Sequence, residues 1–204
     1  MTAASDFIGG LASVAVGVVR GQIDAAMRDA RDPVGAHRRR VAAIAEERRC
    51  QLAQVGRQLQ SHAGELLFDH VAPLMIDLLA SERIEILMLV IDSAREERVR
   101  VVDLARGTAD AVDVPTKEII KLARRHGHGS GFFMFHNHPY EIVAGEIVGE
   151  SPLPSANDLR SATELRRELR ALGVDIVEGV VCGDVCRLVE CSRLNAQFQR
   201  RCRR

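Results

Sequence analysis

The sequence has no excess of either charge, no paired cysteine pattern and no apolar run long enough to cross a membrane. Lysine plus arginine and aspartate plus glutamate number 28 each, so no bulk charge requires nucleic acid or a membrane as partner. The five cysteines are odd in number and lack a Cys-x-x-Cys pair, which excludes a disulfide framework and indicates reduced thiols in a cytoplasmic protein. Residues 7–19 are apolar, but thirteen residues are too few to span a bilayer, and no basic segment precedes them.

Two histidines follow an apolar, aromatic-rich stretch. Residues 131–135 read Gly-Phe-Phe-Met-Phe, which predicts a short buried strand. Because residues two apart on a strand point the same way, His136 and His138 direct both imidazoles at one point beyond the strand. Asn137 between them is expected to secure the turn, and Pro139 cannot donate to a strand ladder and ends the pairing. The pattern predicts a two-pronged metal clamp.

A carboxylate at the start of a later helix offers a third ligand. Ser155 is a natural N-cap for the helical stretch that follows it, and Asp158 falls in the first helical turn. Taken alone, the histidine pair could be two surface histidines, and Ser155 with Asp158 could be only a capping box. The order of strand, histidines, loop, helix and second strand favours the metal site. Three nitrogen and oxygen ligands leave a fourth tetrahedral position for water, which is typical of catalytic rather than structural zinc.

From about Glu85 to about Val189 the sequence resembles a JAB/MPN-type domain that carries the JAMM metallopeptidase motif. Within that group it is most similar to the RadC-like branch. The resemblance includes a Gly-Thr pair, the start of a helix and a late strand. These matching positions are His136, His138, Ser155, Asp158, Gly107, Thr108, residues 117–120 and residues 180–183.

The resemblance implies an α/β fold, in which a mixed sheet of the cytidine-deaminase-like kind is flanked by helices. Two apolar stripes at helical spacing before Glu85 predict a helical region ahead of this domain. The predicted organisation is therefore a helical N-terminal region over 1–80, the JAB/MPN domain over 81–195 and a basic tail over 196–204. A pair of long N-terminal helices also suits a homodimer.

The resemblance also implies a zinc-dependent hydrolase. Zinc held by the two histidines and Asp158 would lower the pKa of its bound water to roughly 7. The family glutamate opens the first strand of the domain, where Glu85 stands, and it would accept the proton from that water and pass it to the departing amine. Ser155 would donate a hydrogen bond to the oxyanion. The rival carboxylates for the role of Glu85 are Asp103, Glu82 and Glu97.

Two departures from the family pattern concern the surroundings of the site. Sixteen residues, 139–154, separate His138 from Ser155, where the family usually has a much shorter loop. The insertion at 140–153 is predicted to be a flap or a partner-binding segment, since it is rooted beside the metal. RadC-like chains also tend to have an Asp-His pair ahead of the last strand, where this sequence has Glu178-Gly179.

The predicted function is that of a JAMM-type zinc metallopeptidase or isopeptidase acting on a protein or peptide. Family members often cleave the bond after the C-terminus of a ubiquitin-like protein, so a bacterial ubiquitin-like protein is the expected partner. One alternative is a RadC-like DNA-associated repair protein, to which the arginines at 38–40 and 48–49 would contribute a basic surface. Another is a metal-free MPN scaffold. No membrane partner is expected.

Overall fold

A computed structural model describes residues 26–143, 146–149 and 153–189, with the side chains of 140–149 outside that description. The apolar segment at 7–19 and the basic tail predicted at 196–204 also lie outside the described residues. Contacts within the chain divide it into two units, residues 1–50 and residues 51–204. Among the described helices, none is both long enough and apolar enough to cross a membrane.

The described part of the first unit is helical. Helix α1, Pro33–Leu59, starts in the first unit and has its last nine residues in the second. It begins where it does because the Asp32 carboxylate accepts the Gly35 N–H at 2.9 Å and Pro33 occupies the first helical position. Its arginines are partly paired with acids in the same unit, since Arg39 and Arg40 lie 2.7 and 3.8 Å from the carboxylate of Asp29. The N-terminal region is largely helical from residue 26 onward, where its description begins, as predicted.

The second unit is built on a mixed five-stranded sheet with the strand order β2-β1-β3-β6-β7. All neighbouring strands are antiparallel except β3 and β6, which are parallel. The bounds of the five strands are Ile86–Ser93 for β1, Arg98–Arg106 for β2, Gly131–Asn137 for β3, Asp175–Cys182 for β6 and Val185–Leu188 for β7. The predicted mixed sheet flanked by helices is confirmed.

Helices cover both faces of this sheet. Helix α2, Phe68–Leu79, packs on one face, and helices α3, Thr116–His126, and α4, Ala156–Ala171, pack on the other. Strand β1 is buried along its whole length, because its alternate side chains enter the two cores. Helix α2 falls within the range 1–80 assigned to the N-terminal region from sequence, and it packs in the core of the second unit.

The insertion after the histidines forms a small sheet of its own. Strand β4, Tyr140–Val143, pairs antiparallel with strand β5, Glu146–Gly149. The hairpin follows directly after Pro139, so it is rooted at the end of β3 that carries the two histidines. Helix α4 begins beyond it and belongs to the crossover that a parallel β3–β6 pair requires.

Packing explains the glycine of the Glu178-Gly179 departure. A Cβ atom on Gly179 would lie 2.6 Å from Cε1 of Phe135 and 3.0 Å from Cε2 of Phe68. The two phenylalanine rings stack with centroids 5.5 Å apart. The space that a larger side chain would need at position 179 is therefore filled by these rings.

Candidate metal centre

The end of β3 brings the two histidines together. Val181 on the neighbouring strand β6 accepts the His138 N–H at 2.8 Å, so the chain keeps its alignment with the sheet past the last residue of β3. Both imidazoles are buried, with ring centroids 4.9 Å apart. Their Nε2 atoms lie 3.1 Å apart. The predicted convergence of the two rings is present.

The start of α4 supplies the carboxylate. Ser155 is the N-cap, as predicted, and its Oγ accepts the Asp158 N–H at 3.1 Å. The Ser155 N–H donates in return to Oδ2 of Asp158 at 2.7 Å. This capping box fixes the carboxylate so that Oδ1 lies 3.5 Å from Nε2 of His136 and Oδ2 lies 3.5 Å from Nε2 of His138.

The three donors fit a zinc ion. Ligands at the 2.0–2.1 Å distances usual for zinc in a tetrahedron are separated by about 3.3 Å, and the donor separations here are 3.1, 3.5 and 3.5 Å. Among the described residues, the group of histidine, cysteine and acidic side chains that could hold a metal contains these three members. A tetrahedral ion held by them would keep one position for water.

The electrostatics of Asp158 favour its ligand form. Burial alone would raise the pKa of its carboxyl group, but hydrogen bonds from the imidazoles of His136 and His138, the charge on His136 and the contact with Ser155 together lower that pKa well below its ordinary value. The group is therefore a carboxylate at neutral pH, as a metal ligand must be.

Glu85 is buried and lies immediately before β1. In the antiparallel pairing of β1 with β3, Leu87 is opposite His136, and continuing that register places Glu85 opposite His138. The Glu85 N–H donates to the Thr108 carbonyl at 2.6 Å, and the Glu85 carbonyl accepts the Gly107 N–H at 2.8 Å. These two bonds fix the backbone of Glu85. Alternation along the strand puts Glu85 on the same face as Leu87, the face covered by α3 and α4.

The rival carboxylates have other surroundings. Asp103 on β2 lies 2.8 Å from Nη2 of Arg106. Glu97 is exposed in the turn between β1 and β2, beyond the end of β1 that pairs with the start of β3. Glu82 precedes β1 by a few residues and is half-buried. Register favours Glu85 for the role of general base, which stays a prediction.

Asn137 has a wider role than the predicted one of securing its own turn. Its side-chain oxygen accepts the Ile86 N–H at 2.7 Å, and its Nδ2 donates to the carbonyls of Ile84 at 3.0 Å and Glu82 at 3.4 Å. These bonds clamp the segment that carries Glu85 to the residue between the two histidines. The sequence does contain a signal for this role, because a residue between two ligands on a strand points to the opposite face of the sheet from both of them.

Sequence reasoning assigned no function to Glu178 and Arg166. Glu178 lies in the middle of β6, and burial together with the negative charge of Asp158 raises its pKa to about 7 against the opposing effect of Arg166. Arg166 lies on the buried face of α4. The feature of the sequence that could have drawn attention to Glu178 is a glutamate in the middle of a mostly apolar strand.

Comparison with known proteins agrees with this architecture. A model of the RadC-like JAB domain family matches residues 67–191. The chain is similar to a UPF0758 protein of Shewanella denitrificans, with 26% identity over 106 residues that cover 52% of this chain and 43% of the relative. It is also similar to a UPF0758 protein of Saccharophagus degradans, with 25% identity over 100 residues that cover 49% of this chain and 40% of the relative.

The aligned part thus spans about two fifths of the length of these curated relatives. The family match covers more than half of the present chain and includes β1, the two histidines and the start of α4. It begins at the N-cap of α2, a helix that packs in the core of the second unit. Sequence match and fold agree, and the chain belongs to the RadC-like JAB domain family.

Proposed function

We propose that this protein is a zinc-dependent metallopeptidase of the JAMM type. The observation that supports this most directly is the triangle of donor atoms from His136, His138 and Asp158, whose edges suit tetrahedral zinc. Zinc bound there would supply a polarising Lewis acid and a bound water of roughly neutral pKa. The reaction is the attack of water on a peptide or isopeptide carbonyl.

The protein's own groups would move the protons. Glu85, opposite His138 by register, accepts a proton from the attacking water and gives it to the departing amine, which is a poor leaving group without it. Ser155 already accepts the Asp158 N–H through its Oγ, and its hydroxyl hydrogen stays available for donation to the oxyanion. Asn137 positions Glu85 through its bonds to Glu82 and Ile84 ahead of β1 and to Ile86 at the start of β1.

The substrate that we propose is a protein or peptide tail, with ubiquitin-like proteins as the first candidates by the JAMM resemblance. The β4–β5 hairpin is rooted beside the ligands, and its two strands pair with no third strand among the described residues, so it suits capture of an extended tail by strand addition. We place the protein in the cytoplasm, in keeping with the free thiols of Cys50 and Cys186. The homodimer through the N-terminal helices is likewise a proposal.

The alternatives have less support. Ion pairs within α1, and between α1 and Asp29 in the helical residues before it, reduce the basic surface that a DNA-associated protein would need. A metal-free scaffold has no requirement for three ligands that converge with the spacing of a zinc site.

The first test is elemental analysis of zinc in the purified protein and in Asp158→Ala. We expect about one zinc ion per chain in the wild type and a large reduction in the variant. The second test is cleavage of fusions that carry a ubiquitin-like protein. Glu85→Gln should keep its zinc and lose cleavage, whereas the matched controls Glu82→Gln and Asp103→Asn should keep both. A wild type that takes up no zinc, even after incubation with the metal, would refute the proposal.

A further inference from the structure

A buried acid and a buried base lie between α4 and β6. Glu178 is 3% exposed and Arg166 is 8% exposed. Arg166 is the one buried lysine or arginine among the described residues. Burial of such groups is unfavourable unless they are paired or otherwise compensated, so their presence needs a physical reason.

The sheet register places Glu178 beneath the metal ligands. Strand β6 pairs with β3 so that Val180 is opposite His136 and Glu178 is opposite Met134. Because residues two apart share a face, Glu178 lies on the same face as His136, one residue pair further from the sheet edge. The Asp158 carboxylate lies 3.5 Å from Nε2 of His136, so it is on the same side of the sheet as Glu178.

The helix places Arg166 beside the same acid. Arg166 follows Asp158 by two helical turns, and side chains on a helix lean toward its N-terminus, which is the end that carries Asp158. Its Nη2 donates to the Val189 carbonyl at 3.2 Å, and the Val189 N–H donates to the Glu178 carbonyl at 2.8 Å. The guanidinium is thus held next to β6 at the position of Glu178.

Hydrogen bonding within the described residues does not account for these side chains. Oε1 of Glu178 and both Nε and Nη1 of Arg166 are buried without a hydrogen-bond partner there. A pair retained only for packing would lose little if apolar residues replaced it. Neither packing nor hydrogen bonding among the described residues therefore explains why these two buried positions carry charged side chains.

The net charge of the buried groups around the metal centre offers an explanation. The carboxyl groups of Glu85, Asp158 and Glu178 are buried or half-buried on this side of the sheet, and the guanidinium of Arg166 is their buried basic counterpart. With neutral histidines, the set carries two net negative charges when all three acids are ionised. That charge matches a divalent cation.

We propose that Glu178 is a positioning residue of the metal centre, whose carboxylate lies beneath His136 and Asp158 and stabilises a bound divalent cation by its charge. This inference rests on the proposed zinc site, and it assigns to Glu178 an electrostatic role next to the three metal ligands. Groups behind metal ligands typically change metal affinity by about 10- to 100-fold when they are removed.

The test is a zinc titration of the metal-free protein in competition with a chromophoric chelator. Glu178→Gln, which keeps the shape and removes the charge, should bind zinc at least about tenfold more weakly than the wild type. Glu178→Asp keeps the charge and should retain more of the affinity. The matched control is Glu168→Gln on the exposed face of α4, and it should bind zinc as the wild type does. Wild-type affinity in a folded Glu178→Gln protein would overturn the inference.

A second variant covers the case in which Glu178→Gln does not fold. The double variant Arg166→Met/Glu178→Met replaces both charges with apolar side chains of similar length, a change that buried ion pairs often tolerate. It should fold, and because it removes one charge of each sign it keeps the net charge of the set. Arg166→Met alone keeps the Glu178 carboxylate and should bind zinc at least about tenfold more tightly than the double variant. Equal affinities in these two variants would reduce Glu178 to a packing role. A wild type that binds no zinc refutes the proposed function itself, which separates the two failures.

Discussion

Two substitutions at Asp158 should separate its role in capping α4 from its role in binding metal. The carboxylate accepts the Ser155 N–H through Oδ2 at 2.7 Å, and the same oxygen lies 3.5 Å from Nε2 of His138. Asparagine keeps an oxygen for the capping bond but carries no charge for a metal ion. Alanine keeps neither function.

The expected magnitudes differ with the metal. In the presence of a chelator, Asp158→Ala should lose at least about 1 kcal/mol of unfolding free energy, the usual effect of removing a helix cap, and Asp158→Asn should lose less, because it keeps the capping bond. Zinc at about 100 times its dissociation constant should stabilise the wild type by about 2.7 kcal/mol. Both variants should lose most of that gain.

Urea unfolding followed by circular dichroism, with chelator and with zinc, measures all of these quantities. Glu164→Ala on the exposed face of α4 is the matched control and should behave as the wild type under both conditions. If zinc stabilised Asp158→Asn as much as the wild type, the carboxylate would not be a ligand. If Asp158→Ala unfolded as the wild type does with chelator present, the capping box would contribute nothing.

Three further predictions follow from the packing around the site. Asn137→Ala should lower the unfolding free energy by about 1–3 kcal/mol, because it leaves buried backbone groups ahead of β1 unpaired, and it should impair cleavage in the fusion assay more than zinc content. Gly179→Ala should destabilise the fold by about 1–3 kcal/mol in urea unfolding, since its Cβ would lie 2.6 Å from the Phe135 ring, whereas Gly64→Ala has open space and should show only backbone strain. The pKa of Glu178 is raised from 4.5 to about 7 in the fold, so its contribution to the stability of the metal-free protein is present below pH 4.5 and is lost as the pH rises through about 7. Glu178→Gln should remove this pH dependence, worth about 3 kcal/mol, from urea midpoints measured across that range.

Local signals in the sequence predicted much of the fold. The apolar run after Glu85 became β1, the aromatic run before His136 became β3, and Ser155 caps α4 as its position indicated. Such signals depend on side-chain alternation and on hydrogen bonds within one helical turn. They identify elements because the determining residues are neighbours in the sequence.

Local sequence signals could not predict contacts between residues that are distant in the sequence. The bond from Ile86 to Asn137 joins residues 51 positions apart, and nothing near either residue in the sequence specifies the other. The parallel register of β3 with β6, which puts Glu178 on the face of His136, is of the same kind. The insertion was predicted to be a flap or a partner-binding segment, and the sequence did not specify the antiparallel pairing of 140–143 with 146–149.

The position of the site at a helix start explains why it needs so many acids. The N-terminus of α4 carries partial positive charge from its unpaired N–H groups, and this charge disfavours a cation nearby. Asp158 in the first turn offsets it, and the capping box ties that carboxylate to the helix end. A divalent ion there still requires more negative charge than one carboxylate provides, and the buried Glu85 and Glu178 lie on the sheet face that α4 covers. Loss of affinity in Glu178→Gln would therefore measure the compensation that metal binding beside a helix N-terminus demands.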